Sequence, residues 1–184
     1  MKATEQLKSE HEGIKLMLSI LDAVANRIAG GQRIPQKDLE DIAAFLSVFA
    51  DKCHHGKEEE HLFPALERAG VPREGGPIGV MLAEHAQGRQ LIARLKEAIA
   101  EYGAGKKEAS GKFARAAGDY AALLTQHIAK ENNVLFPMAD RLLAPVEDVK
   151  LVEGFEELER TRIGAGRHEQ FHALLARLKK SYLA

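Results

Sequence analysis

The chain carries two copies of one short motif, and this duplication constrains its fold more strongly than any other feature. Residues 54–64 read His-His-Gly-Lys-Glu-Glu-Glu-His-Leu-Phe-Pro, and residues 127–137 read His-Ile-Ala-Lys-Glu-Asn-Asn-Val-Leu-Phe-Pro. Six of the eleven positions are identical at an offset of 73 residues. The two segments therefore indicate a structural unit that occurs twice in the chain.

A Glu-His pair precedes each motif and repeats almost in step with it. Glu10 and His11 recur 74 residues later as Glu84 and His85. Apolar residues follow both pairs in the same helical phase. Two such units can pack with pseudo-twofold symmetry, which would bring equivalent side chains face to face.

Hydrophobic residues recur every three or four positions, the spacing of amphipathic helices. The pattern predicts helices over residues 4–29, 35–69, 78–99 and 112–143, and a fifth segment after Pro145 that is broken around Gly164 and Gly166. Pro64 and Pro137 lie inside two of these stretches. Because proline cannot donate a helical hydrogen bond, we expect a kink or a break at each.

Four long helices joined by short loops pack most simply as an up-down bundle. The predicted fold is therefore all-α, an antiparallel four-helix bundle over residues 1–144 composed of pseudo-repeats 1–70 and 75–144. Residues 145–184 are predicted to form an additional C-terminal helical segment that packs on the bundle.

Charge and cysteine content limit the classes of function. The chain has 26 basic and 27 acidic side chains, so a nucleic-acid partner or an anionic membrane surface is not expected. No apolar run approaches the roughly 18 residues of a membrane span, and the polar start shows no signal peptide. The single cysteine, Cys53, cannot form an internal disulfide, which favours a cytoplasmic protein.

The duplicated motif places histidine and glutamate on one helix face, because residues four apart are neighbours on a helix. His54 with Glu58, and His127 with Glu131, form two such pairs. If they meet across the bundle axis, two imidazoles and two carboxylates converge, and the remaining two helices add His11 and His85. Imidazole together with carboxylate suits iron, manganese or zinc, and a carboxylate can bridge two metals.

The competing interpretation is a plain helical scaffold. A single inward histidine is more often a hydrogen-bonded core residue than a ligand. Burying six ionisable groups without compensation, however, would destabilise the fold by several kcal/mol, and metal ligation would remove that penalty.

In these residues the chain resembles the hemerythrin-like HHE cation-binding family, along nearly its whole length. The resemblance implies a bundle that holds two iron ions, Fe2+ or Fe3+, bridged by carboxylates and often by an oxo or hydroxo group. It implies six metal ligands, with Glu58 and Glu131 as the bridges: His11, His54, Glu58, His85, His127 and Glu131.

The chain departs from the oxygen-carrying hemerythrins at Arg89, where those proteins place a further histidine. We expect His168 to replace this ligand, because it heads the apolar stripe of the last segment. His55 is the alternative, since some family members use the residue after the motif histidine. Its repeat equivalent is Ile128, however, so it is not part of the symmetric set.

Several nearby residues are interpreted as structural. Cys53 and Tyr120 continue apolar stripes, and His61 corresponds to Val134 in the other copy. The run 57–60, apart from Glu58, is interpreted as a solvated face.

The nitrogen-rich ligand set favours binding or sensing of O2 or a related small oxidant such as peroxide or NO. Ferritin-like oxygen activators instead carry Glu-x-x-His and more carboxylate. The alternatives are an enzyme that detoxifies peroxide or nitric oxide, and iron storage or donation, including iron-sulfur repair. The sequence leaves open the metal (iron, manganese or zinc), the presence of catalysis and the oligomeric state.

Overall fold

The computed structural model describes residues 1–164 and 166–183, and in these residues every regular element is helical. The prediction of an all-α protein is confirmed. Six helices follow one another: α1 (Lys2–Ala29), α2 (36–68), α3 (Pro77–Gly103), α4 (109–142), α5 (145–163) and α6 (Arg167–Tyr182). None of them is long and apolar enough to cross a membrane.

The first four helices form a closed ring of contacts: α1 packs on α2 and α4, and α3 packs on the same two helices. Their alternating up-down direction stays a prediction. The apolar interior is divided into two clusters, one containing Ile14, Leu46 and Leu124, the other containing Leu7 and Phe136. Each fully buried side chain of this size contributes roughly 1.5–3 kcal/mol. A layer of histidine and glutamate lies between the clusters.

The prolines inside α2 and α4 do not break their helices, so the predicted interruption takes another form. The turns before them are π-helical, Glu58–Leu62 and Glu131–Leu135. In the first, the backbone N–H of Phe63 donates to the carbonyl of Glu58, five residues earlier. A proline inside an ordinary α-helix brings its ring against the carbonyl four residues earlier. The wider π turn makes room for the ring.

Helices α5 and α6 pack across α1 and α2. Gly164 and Gly166 separate them, with φ of 89° and 78°, backbone conformations that glycine adopts without a steric penalty. Gly154 lets α5 approach α2 closely, since a Cβ there would lie 2.5 Å from Nδ1 of His61. At the far end, Asp38 of α2 accepts hydrogen bonds from Tyr182 and Arg177 of α6.

Candidate metal centre

The six side chains singled out by the repeat lie together in the layer between the two apolar clusters. Each is at most 1% exposed, and the four bundle helices contribute one histidine each. The set comprises His11, His54, Glu58, His85, His127 and Glu131. They form two groups, which we call the first and second histidine groups.

The first histidine group contains His11 from α1 and His54 from α2. Their Nε2 atoms are 2.9 Å apart. Nε2 of His11 lies 3.1 Å from Oε2 of Glu131, and Nε2 of His54 lies 3.7 Å from Oε1 of Glu58. One ligand atom from each of these four residues lies within 4.8 Å of the others.

The second histidine group contains His85 from α3 and His127 from α4, with Nε2 atoms 3.2 Å apart. Nε2 of His127 is 3.0 Å from Oε1 of Glu131, and Nε2 of His85 is 3.4 Å from Oε2 of Glu58. His55 joins this group. Its ring stacks on that of His85 at a centroid distance of 3.8 Å.

The two carboxylates span the two groups. Glu131 directs Oε2 toward the first group and Oε1 toward the second, and Glu58 directs Oε1 toward the first and Oε2 toward the second. This is the arrangement that two cations sharing two carboxylates require.

Outside the centre, two imidazoles donate to the glutamates that precede His11 and His85 in sequence. Nδ1 of His54 donates to Oε2 of Glu10 at 2.9 Å, and Nδ1 of His127 donates to Oε2 of Glu84 at 2.9 Å. The Glu-His pair of one helix therefore holds the histidine of its neighbour. Sequence analysis identified this pair but assigned no role to its glutamate.

The other two imidazoles donate to the residue after each buried glutamate. Nδ1 of His85 donates to Oε1 of Glu59 at 2.7 Å, and Nδ1 of His11 donates to Oδ1 of Asn132 at 3.0 Å. All four Nδ1 atoms thus carry their protons outward, and the four Nε2 atoms face the centre, where each can hold a proton or a metal ion.

This inward arrangement fits metal ions. Both oxygens of Glu58 and of Glu131 and both ring nitrogens of His55 are buried without a hydrogen-bond partner. Opposed Nε2 lone pairs repel one another unless a proton or a metal ion lies between them. Buried polar groups of this kind are costly alone, and two cations between the groups would satisfy the four carboxylate oxygens and one nitrogen of His55.

The electrostatics of the centre also favour a cation. Burial would raise the pKa of Glu131, but His127 and His11 hold it well below its usual range. Burial would lower the pKa of His85, but the carboxylates of Glu58 and Glu59 raise it to about 9. The pKa of His55 is well below its usual range because of burial and the neighbouring imidazoles. His55 is therefore neutral, the form that binds metals.

A lysine in each motif copy supports the outer glutamates. Lys57 donates to Glu10, and its repeat equivalent Lys130 donates to Glu84. Burial would raise the pKa of Glu10, but His54 and Lys57 lower it to about 2. The interpretation of residue 57 as solvated was wrong: Lys57 has no exposed surface. Lysine occupies this position in both copies of the motif, and that was the signal that could have revealed its pairing with the outer glutamate.

His168 lies outside both histidine groups. It is half-buried at the start of α6, with its ring 5.3 Å from that of Phe49. It can place a nitrogen near carboxylate oxygens of Glu10 and Glu159. The structure thus brings seven of the eight candidate ligands together and leaves His168 beside them.

Arg89 occupies the α3 position of the expected additional histidine. Its guanidinium donates to Asp51 at 2.8 Å and to Glu59 at 2.7 Å. Asp51 lies 3.5 Å from Nδ1 of His55, and Glu59 holds His85. Arg89 therefore links the two acids that adjoin the second histidine group.

Cys53 and Tyr120 are buried, in agreement with their interpretation as core residues. Burial raises the pKa of the Cys53 thiol to about 12, so the thiol stays protonated at neutral pH.

Comparison with known proteins gives one family and several relatives. The family model described as "Hemerythrin HHE cation binding domain" matches residues 2–139. An uncharacterized protein of Mycobacterium tuberculosis is 28% identical over 179 residues, 97% of this chain and 69% of that relative. No solved structure gives a significant match.

Two other relatives are described as iron-sulfur cluster repair proteins. DnrN of Neisseria gonorrhoeae is 38% identical over 102 residues, 52% of this chain and 64% of DnrN. YtfE of Yersinia pestis is 36% identical over 109 residues, 54% of this chain and 47% of YtfE. The chain therefore matches less than two thirds of the length of either repair protein.

Proposed function

This chain belongs to the hemerythrin HHE cation-binding family, and from that premise we propose that it holds a pair of iron ions that binds or senses O2 or a related small oxidant. The resemblance recognised in the sequence is confirmed by the family model. The observation that carries the proposal is the pair of buried glutamates, each of which directs one oxygen to each histidine group. We further propose that α1–α4 form the antiparallel bundle typical of the family.

The proposed ligands divide into two sets. His11 and His54 would hold one ion, whereas His85, His127 and His55 would hold the other, and two carboxylates, Glu58 and Glu131, would be available to both. We propose His55 in place of His168 as the additional ligand, because only His55 presents unpartnered ring nitrogens to the second group. His168 lies on the outer side of Glu10 and Glu159.

An iron pair, when bound, supplies two electrons to a small oxidant. The residues of this chain prepare the site for that chemistry. Four outward Nδ1 hydrogen bonds fix the tautomers of the ligand histidines, and the aromatic rings of Phe63 and Phe136 stack against His85 and His11. These apolar surroundings exclude water and raise the effective strength of the charges inside.

The proposal is tested by reducing iron-loaded protein without oxygen and then titrating with O2. Binding or sensing predicts a new visible absorption band that disappears when O2 is removed. Irreversible oxidation to the diferric protein in a single exposure would contradict reversible binding. A Glu131→Gln protein gives the matched control, since it removes a charge from both positions and leaves the side-chain volume unchanged.

Iron-sulfur repair is the second candidate, favoured by the names of the two relatives DnrN and YtfE. It predicts that the iron-loaded protein restores activity to an enzyme with a damaged iron-sulfur cluster, faster than free ferrous iron does. Equal rates with protein and with free iron would remove this candidate. Steady turnover of hydrogen peroxide or NO, lost in Glu58→Gln, would instead identify a detoxifying enzyme.

A further inference from the structure

Glu159 of α5 lies outside the segment that matches the family model, yet it is connected to the first histidine group through two buried residues. We infer that Glu159 is a positioning residue for the metal position at His54, acting through Lys57 and Glu10. The inference rests on the proposed iron centre. It assigns the C-terminal helices a part in setting the properties of one of the two metal positions.

The connection consists of three consecutive hydrogen bonds. Oε1 of Glu159 accepts from Nζ of Lys57, the same ammonium donates to Oε1 of Glu10, and Oε2 of Glu10 accepts from Nδ1 of His54 at 2.9 Å. Gln6 of α1 also donates to Oε1 of Glu159, at 3.3 Å. One carboxylate of α5 is therefore fixed to both helices that supply the first group.

Helix α5 encloses the ammonium as well as pairing with it. The ring of Phe155 lies 5.7 Å from Nζ of Lys57. Leu158 packs over Gly56, where a Cβ would lie 3.4 Å from Cδ1 of the leucine. Lys57 consequently has no exposed surface, and a buried ammonium requires compensating negative charge.

Glu159 supplies part of that charge, so its loss would change what Glu10 does. With glutamine in place of Glu159, Glu10 would be the only carboxylate bonded to Lys57 while still accepting the hydrogen bond from His54. Its negative charge would be drawn toward the ammonium, and His54 would become a weaker electron donor to its metal. Outer partners of metal ligands commonly change metal affinity about 10- to 100-fold. Glu159 is two residues further out, and we expect an effect at or below the lower end of that range.

The second half of the molecule provides an internal reference. There, Lys130 donates to Glu84, and Glu84 accepts a hydrogen bond from His127. The lysine follows the histidine by three residues, as Lys57 follows His54. The side chain of Lys130 is 40% exposed, and within the described residues no carboxylate other than Glu84 pairs with it. The effect of Glu159 should therefore be confined to one of the two positions.

The test compares Glu159→Gln with Glu157→Gln in the full chain. Both changes remove one negative charge from α5 and preserve side-chain size. Glu157 is 58% exposed on its side chain and pairs with Arg160, away from Lys57. Loaded with a Mössbauer-active iron isotope, Glu159→Gln should bind two irons, alter the signal of one and raise the midpoint potential of that iron. Glu157→Gln should match the parent protein.

A charge-preserving change separates positioning from packing. Glu159→Asp keeps the charge on a shorter side chain, so its iron signal and midpoint potential should lie closer to those of the parent than those of Glu159→Gln do. Two bound irons with parental spectra and potentials in Glu159→Gln would overturn the inference. The same holds if Glu157→Gln produces an equal change.

A metal-free measurement keeps the inference separable from the proposed iron centre. In the protein without metal, the Nδ1 proton resonance of His54 should shift in Glu159→Gln, whereas that of His127 should not. If the parent protein fails to bind iron, the proposed function is wrong, and this NMR comparison still decides the inference. Unchanged resonances for both histidines would overturn it.

Discussion

The two histidine groups come from the same duplicated motif, yet they differ in how the protein surrounds them. Lys57, beside the first group, is fully buried beneath α5, whereas the side chain of Lys130, beside the second, is 40% exposed. Both lysines donate to the same kind of glutamate, which in turn accepts a hydrogen bond from a histidine of the centre. Duplication thus supplies equivalent histidines and glutamates, and a helix outside the repeat makes the surroundings of the two groups unequal.

The proposed ligand sets differ through one substitution between the copies. His55 adds an imidazole to the second group, whereas its repeat equivalent, Ile128, has no ligand atom. Glu59 and Asn132 hold equivalent histidines, but one acceptor is charged and the other is neutral. The second position therefore has more nitrogen and a nearby anion, and we expect its ion to be the more readily oxidised.

The largest effect is expected from changing a carboxylate that both metal positions share. Glu131→Gln should abolish binding of a stable iron pair, with a loss in affinity for the second ion of more than about 100-fold, because a neutral amide cannot bridge two cations. Iron stoichiometry after desalting measures it. Glu60→Gln, which changes an exposed glutamate paired with Arg162, is the control and should keep both ions. An intact iron pair in Glu131→Gln would remove the bridging assignment.

The next change makes the two halves more alike. His55→Ile copies the residue at the equivalent position, so the two iron signals should become more similar and affinity at the second position should fall about 10-fold or more. The metal-free protein should be stabilised by about 1 kcal/mol, since two buried unpartnered nitrogens are lost.

Thermal denaturation measures both effects: without iron the variant should unfold at a higher temperature than the parent, and iron should stabilise it less. His61→Val, which also copies the equivalent residue of the other copy, is the control and should leave both iron signals unchanged. A parental iron spectrum in His55→Ile would exclude His55 as a ligand.

A smaller effect is expected where the second group approaches the surface. Arg89→Met frees Asp51 and Glu59, so the spectrum of the second iron should change, while the free energy of unfolding should fall by less than about 1 kcal/mol because these pairs are partly exposed. Arg94→Met, an exposed position on the same helix, serves as control. A change confined to the first iron would contradict the placement of Arg89.

The smallest effect is expected at the contact between Asp38 of α2 and the end of α6. Burial would raise the pKa of Asp38, but Tyr182 and Arg177 lower it below the ordinary value of 3.8. The carboxylate therefore stabilises the fold above that pH, and this contribution is lost as the pH falls through the folded pKa. Asp38→Asn should remove this part of the acid sensitivity and weaken docking of α6.

Far-UV circular dichroism across an acid titration measures the change. The control is Asp41→Asn, because Asp41 also pairs with Arg177 but makes no bond to Tyr182. Equal acid sensitivity in the two variants would remove the special role of Asp38.

The helix faces that carry the candidate ligands could be predicted from sequence because they depend on local periodicity. A helix places His127 and Glu131 on one face whatever surrounds it, and the repeat gives the second pair at once. Helix limits were predicted within a few residues for the same reason: residues 35–69 were expected where 36–68 are helical. The all-α class follows directly from these helices.

The contacts between distant segments could not be predicted in this way. Whether residue 57 is buried depends on where α5 packs, and nothing near Lys57 in the sequence encodes that. The choice between His55 and His168 likewise depends on the direction in which α6 leaves Gly166. The π turns were missed because the sequence marks the proline but not the hydrogen bonds that accommodate it.

Those two π turns have a consequence for how the chain tolerates change in length. Each inserts an additional residue into a helical turn immediately after a buried glutamate, Glu58 or Glu131. Removing one residue between Glu58 and Pro64 would restore ordinary winding and keep the later side chains of α2 on the faces they now occupy, because the π turn absorbs the additional residue. The ordinary turn would instead set the proline ring against the carbonyl four residues earlier. We therefore expect a single-codon deletion there to keep Phe63 in the interior and to destabilise α2 at Pro64.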